Sequence, residues 1–135
     1  MRILGLDPGE KRIGVAVTDP LGITAQGIDV ITFQNLDSAL LEIKVICQNY
    51  QVEKIVIGNP LNMNGTRGPG SINAGLLAEL VEERLEVPVE LIDERLTSVS
   101  AERTLISGGV RRKNRRKVKD KLAAVLILEN YLASL

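Results

Sequence analysis

Two apolar runs separated by a turn constrain this chain most. Arg2-Ile3-Leu4-Gly5-Leu6 ends on Asp7, and Pro8-Gly9-Glu10-Lys11-Arg12-Ile13-Gly14 leads into Val15-Ala16-Val17. The pattern reads as a buried strand, a carboxylate at its exit, a tight turn and a returning strand. A carboxylate at the end of a buried strand loses much of its water, which is costly unless a cation or hydrogen-bond donors face it. Asp7 is therefore the first functional candidate. The competing reading is ordinary turn chemistry, since an Asp before Pro-Gly bonds the backbone ahead of it.

A length of 135 residues fits one domain spanning 1–135, able to bury roughly two thirds of its unfolded surface without disulfides or metal. No apolar run approaches the roughly 20 residues that cross a bilayer, so no membrane association is expected. The chain opens on a core strand, and no signal peptide is expected. Cys47 is the one cysteine and lies among Ile43, Val45 and Ile46. It reads as a small core residue in a reducing compartment, the cytoplasm. The absence of histidine removes Ser/His and Cys/His pairs, imidazole bases and His-ligated zinc. Chemistry must rest on carboxylates, hydroxyls, amines or a bound ion.

The 17 basic and 17 acidic residues cancel, but they are not evenly spread. Arg111, Arg112, Lys113, Arg115, Arg116, Lys117 and Lys119 put seven positive charges into nine residues. Such a run is either a solvated loop or a phosphate-binding stretch.

Along the chain, Ile28, Val30 and Ile31 mark a third strand within Ile23 to Phe33, and the short connections favour an antiparallel meander. Leu36, Leu40, Ile43 and Ile46 recur at helical spacing, predicting a helix from Leu36 to Tyr50. Lys54 to Gly58 reads as a buried strand, and the Gly-, Pro- and Asn-rich stretch from Asn59 to Gly70 as a loop. Ser71 is the expected cap of a helix carrying Leu77, Leu80, Val81 and Leu85. Val89 to Asp93 supplies the last strand. Thr97 or Ser98 caps a short helix to Ser107, ended by Gly108-Gly109. A final helix is expected from about Val118 to Leu132. Hairpins first and helical crossovers later predict an α/β fold: a mixed five-stranded sheet, three antiparallel strands then parallel ones, with helices on both faces.

Ligands of open α/β sheets sit beyond the carboxyl ends of strands. Three acidic loci can meet there: Asp7, the Asp93-Glu94 pair, and Asp120 in what reads as the first turn of the final helix. Asp120 shares a helical face with Ala124, Ile127 and Tyr131. The helix dipole is the competing explanation for an acid in a first turn. Side chains alternate along a strand, so one of Asp93 and Glu94 faces the site of Asp7; the longer Glu94 is favoured, with Asp93 as the alternative ligand. Clustered carboxylates without histidine suit a hard cation, Mg²⁺ or Mn²⁺, which can activate water for attack on a phosphodiester. The basic run just before Asp120 would hold the polyanion.

Four motifs in order then resemble the YqgF family of pre-16S rRNA nucleases and Holliday-junction-resolvase-like proteins, within the RNase H-like superfamily. They are Gly5 to Ala16, Ile57-Gly58-Asn59-Pro60-Leu61-Asn62-Met63-Asn64-Gly65-Thr66, Asp93-Glu94-Arg95-Leu96-Thr97-Ser98, and Asp120-Lys121-Leu122-Ala123-Ala124. The resemblance covers essentially the whole chain. It implies an RNase H-like fold, catalytic and metal-holding roles for Asp7, Glu94 and Asp120, and a part in maturing the 5′ end of 16S rRNA. The family's strand-end turn maps to Gly9, Lys11, Arg12 and Gly14. Nucleic-acid contacts are expected at Lys11, Arg12, Arg111, Arg112, Lys113, Arg115, Arg116 and Lys117. Related resolvases carry a further acid near the last one, where this chain has Lys119 and Lys121, so the number of metals is open.

The hairpin from Gly5 to Ala16 is also similar to the phosphate hairpin of the actin and sugar-kinase superfamily, whose members need two such domains where this length holds one. A second alternative is an RNA-binding protein without catalysis. A third is a resolvase acting on branched DNA. A monomer would suit a single RNA end, and a homodimer a two-fold junction.

Overall fold

The computed structural model describes residues 1–9, 11–59, 69–93 and 112–135, with 69–73 and 112–119 described through their backbone. Strand β1 (Ile3–Pro8) and strand β2 (Arg12–Thr18) form the expected hairpin, with Asp7 opposite Gly14 and Pro8 opposite Ile13. Gly9 N–H donates to the Arg12 carbonyl at 2.8 Å and closes the turn. Strand β3 (Ala25–Thr32) adds antiparallel to β2, with a register shift between Val15 and Ala16. The short connection before β3 is held by Asp19, whose carboxylate accepts from the backbone N–H groups of Ile23 at 2.6 Å and Thr24 at 2.8 Å.

Helix α1 (Leu36–Tyr50) begins where Asn35 Oδ1 accepts from the Ser38 N–H, and ends at Gln51 in the left-handed region. It carries the chain over to β4 (Lys54–Asn59), which pairs parallel to β1. Helix α2 (Pro69–Leu85) does the same for β5 (Val89–Asp93), parallel to β4. The strand order is β3-β2-β1-β4-β5, the mixed five-stranded sheet the pattern predicted. Ser71 does not cap α2: the helix starts at Pro69, whose fixed φ suits a first helical position.

Alternation divides the core into two. Leu4, Leu6, Ile13, Val15, Val17, Ile55 and Ile57 pack with Ala39, Leu40, Ile43 and Cys47 of α1 and Ala74, Leu77 and Val81 of α2. The opposite side buries Ile3, Ala16 and Val56 against Ala124, Ile127, Leu128 and Tyr131 of the last helix, α3 (Arg112–Ala133). Helices therefore cover both faces. Cys47 is buried and free, as its neighbours implied.

Helix α3 begins at Arg112 rather than near Val118. Arg and Lys are good helix formers, so a stretch without an apolar stripe in its sequence still propagates helix. Most of the basic run is thus helical, and Asp120 lies in the third turn rather than the first. The dipole at a helix start falls off within the first turn, so it does not account for Asp120. Of the loop expected from Asn59 to Gly70, Asn59 ends β4 and Pro69 and Gly70 open α2, while 60–68, the expected helix from Thr97 or Ser98 to Ser107, Glu94 and Arg111 lie outside the described residues.

Candidate active site

Parity decides which acids can meet. Leu4 and Leu6 face α1 and α2, so Asp7 joins Ile3 and Gly5 on the α3 side. In β2, Gly14 and Arg12 take that side with Ala16. Helix α3 approaches the sheet at three glycines. A Cβ on Gly5 would lie 2.5 Å from Leu128 Cγ, one on Gly27 would lie 3.0 Å from Lys121 Cβ, and one on Gly14 would overlap the backbone carbonyl of Asp120. Close backbone approach is a recognised use of glycine in strands. Because Gly14 is the ladder partner of Asp7, this seat brings Asp120 beside the end of β1.

Both carboxylates are partly buried. Arg12 Nε stands 3.3 Å from Asp120 Oδ2, with the two side chains 28% and 21% exposed, so a cation already offsets the repulsion between the acids. Arg12, expected at the nucleic acid, therefore also braces an acid of the site. Lys11 is exposed on the hairpin, and its carbonyl accepts the Phe33 N–H at 3.0 Å.

Asp93 takes the other face. It pairs with Asn59, two residues beyond the Leu91–Ile57 pair, whose Ile57 belongs to the α1/α2 core, while Ile92 packs toward α3. The exposed Asp93 is thus directed away from Asp7. Arg112, Lys113, Arg115, Arg116 and Lys117 occupy the opening turns of α3, on the same helix as Asp120. The seat on Gly14 and the Arg12–Asp120 pair were not foreseen; the small residues at 5, 14 and 27 along adjoining strands were the signal available.

The donor set suits a hard cation. Asp7 and Asp120 offer oxygens only, the chain has no histidine, and Cys47 is buried in the opposite core. Among the described residues no group of three or more acidic, His or Cys residues comes together. No helix among the described residues is long and apolar enough to cross a membrane.

A family model described as RuvX, Holliday junction resolvase, matches residues 1–134. A protein of Syntrophomonas wolfei named "Putative pre-16S rRNA nuclease" is 51% identical over 132 residues, 98% of this chain and 94% of its own length. A protein of Listeria monocytogenes serotype 4b with the same name is 50% identical over 134 residues, 98% of this chain and 97% of its own. The fold is also that of Thermus thermophilus RuvC, at TM-score 0.58 and 14% identity over 99% of this chain and 96% of that one. The fowlpox virus Holliday junction resolvase aligns at TM-score 0.59 and 16% identity over the full length of both chains. With its RNase H-like sheet, its acids at the end of β1 and over Gly14, and a match along nearly its whole length, the chain belongs to the RuvX (YqgF) family.

Proposed function

We propose that this chain is a metal-dependent nuclease whose substrate is the 5′ region of a 16S rRNA precursor. One observation carries the reading: Gly14 seats the Asp120 carbonyl beside Asp7, so two acids distant in sequence share the carboxyl end of the sheet. The names of the half-identical relatives support the substrate.

Asp7, Asp120 and Glu94 would hold Mg²⁺ or Mn²⁺. The direction of Asp93 away from Asp7 supports choosing Glu94 from the pair. Such a cation, when bound, supplies charge stabilisation to the phosphoryl oxygens and a more acidic water. Asp7 and Asp120 position their oxygens from a strand and a helix, elements that hold geometry better than loops. Arg12 keeps Asp120 in place and limits the repulsion between the two acids. Lys11 on the hairpin and Arg111, Arg112, Lys113, Arg115, Arg116 and Lys117 would hold phosphates flanking the cut, fixing register rather than reading sequence. A ribosomal-precursor substrate would place the work in the cytoplasm.

The family description favours a second reading, cleavage of a four-way DNA junction. A monomer suits the RNA end, and a two-fold dimer suits the junction. The test incubates wild type and Asp7→Asn with labelled 16S precursor and with a four-way junction, in Mn²⁺ and in EDTA. Metal- and Asp7-dependent cutting of the precursor supports the proposal, and cutting of the junction alone replaces it. Binding of the precursor without cutting would leave an RNA-binding protein.

A further inference from the structure

We infer that the cavity under the β1–β2 hairpin receives one unstacked nucleobase of the strand being cut. The inference rests on the nuclease reading above and adds which part of the substrate must be unpaired.

The cavity measures about 180 Å³ and is walled by Pro8, Ile13, Phe33, Leu36, Leu76 and Leu77, with Gly9 at its edge. Ile13 and Leu77 form a buried floor, while Leu76 stands 47% exposed at the rim. Pockets that enclose a whole cofactor or drug run to roughly 300–1,000 Å³, so this one suits a single ring system. Phe33 is the only phenylalanine of the chain, and its N–H is tied to the Lys11 carbonyl of the hairpin at 3.0 Å. The backbone that carries this aromatic ring is thereby anchored to the turn that follows Asp7.

Position identifies the occupant. Pro8 follows Asp7 directly, about 3.8 Å away between Cα atoms. Alternation sends Asp7 to the α3 side and Pro8 with Ile13 to the cavity. A strand that crosses the end of β1 from the Asp7 side to the cavity side would hold a phosphate at Asp7 and bring a base to the cavity, with Lys11 exposed on the same hairpin. Bases inside a duplex do not offer their faces to a side chain, so the base must be unpaired. With apolar side chains around it, the cavity takes any base through its π-face and reads no sequence.

The test uses single-stranded RNA oligonucleotides containing the cut position, with an abasic nucleotide placed at each position in turn. Affinity for the full-length Asp7→Asn protein is measured in Mg²⁺. One abasic position next to the cut should weaken binding about tenfold, the size of a base–aromatic stacking contact, whereas changing base identity there should have little effect. Phe33→Leu should weaken binding of the intact strand by a similar factor and add nothing once the base is gone. Leu76→Gln, at an exposed position that spares the core, should do the same to a smaller degree. Indifference to every abasic position, or independent addition of the protein and RNA changes, overturns the pocket while leaving the nuclease reading intact. No binding of any intact strand removes both.

Discussion

The backbone carbonyl of Asp120 rests against the Cα of Gly14, the residue that pairs across the ladder with Asp7. A side chain at position 14 would overlap that oxygen, so the distance between the two acids depends on a hydrogen atom. Gly14→Ala should lift α3 from the sheet at about 1–3 kcal/mol. Misplacing a reacting group by about 1 Å can cost roughly 10²-fold, so cleavage should fall by that order. Thermal melting and single-turnover cleavage check both; a variant that melts and cuts like wild type would show that the helix shifts freely.

Metal binding should be visible without any substrate. A ligand present at 100 times its Kd stabilises the folded state by about 2.7 kcal/mol. Mn²⁺ should therefore raise the Tm of wild type, and Asp7→Asn or Asp120→Asn should lose most of that rise. Equal shifts in all three proteins would place the ion elsewhere.

Arg12 stands 3.3 Å from Asp120, and its removal should separate two effects. Partly exposed ion pairs contribute about 0–1 kcal/mol, so Arg12→Ala should melt within a few degrees of wild type. Loss of a positive charge beside the acids should tighten Mn²⁺ binding, while nucleic-acid affinity falls. Calorimetry with Mn²⁺ and a filter-binding titration with RNA read the two in opposite directions.

Replacing Arg111, Arg112, Arg115 and Arg116 with Ala should flatten the salt dependence of RNA binding. Each phosphate contact to a single strand contributes a slope of about 0.7, so the slope should shrink by up to roughly 3. Affinity measured from low to moderate salt decides it. An unchanged slope would make the helix start a bystander.

Burial pushes the Cys47 thiol up to about 11 from an ordinary value of 9.0. The folded state then keeps a proton that the unfolded chain gives up, so stability should fall as pH rises from about 9 toward 11. Wild type should lose Tm more steeply than Cys47→Ala across that window. At pH 8 the native thiol should resist iodoacetamide until the protein unfolds.

The sheet and its flanking helices were legible because their signals are local. Ile3 to Leu6 and Val15 to Val17 announce buried strands, and Leu36 to Tyr50 carries its own period. Helix α3 started early because periodicity reports packing, and Arg112 to Lys119 form helix without an apolar stripe. Hydroxyl capping makes Ser71 the expected start of α2, but Pro69 at the first helical position overrides it. Asp7 was legible from its place at a strand exit. That Asp120 joins it depends on where α3 crosses the sheet, and Gly14 sets that crossing through a contact no local pattern contains. Asp93 needed the register of β5 against β4 before its parity meant anything.

Helix α3 is also the last of the described elements to be synthesised. A nascent chain carries Asp7 from the start, whereas the seat of Asp120 on Gly14 requires α3 as well as the hairpin. On the proposed reading, a chain without α3 lacks one of the two acids. The capacity to cut RNA then depends on both ends of the described chain being folded together.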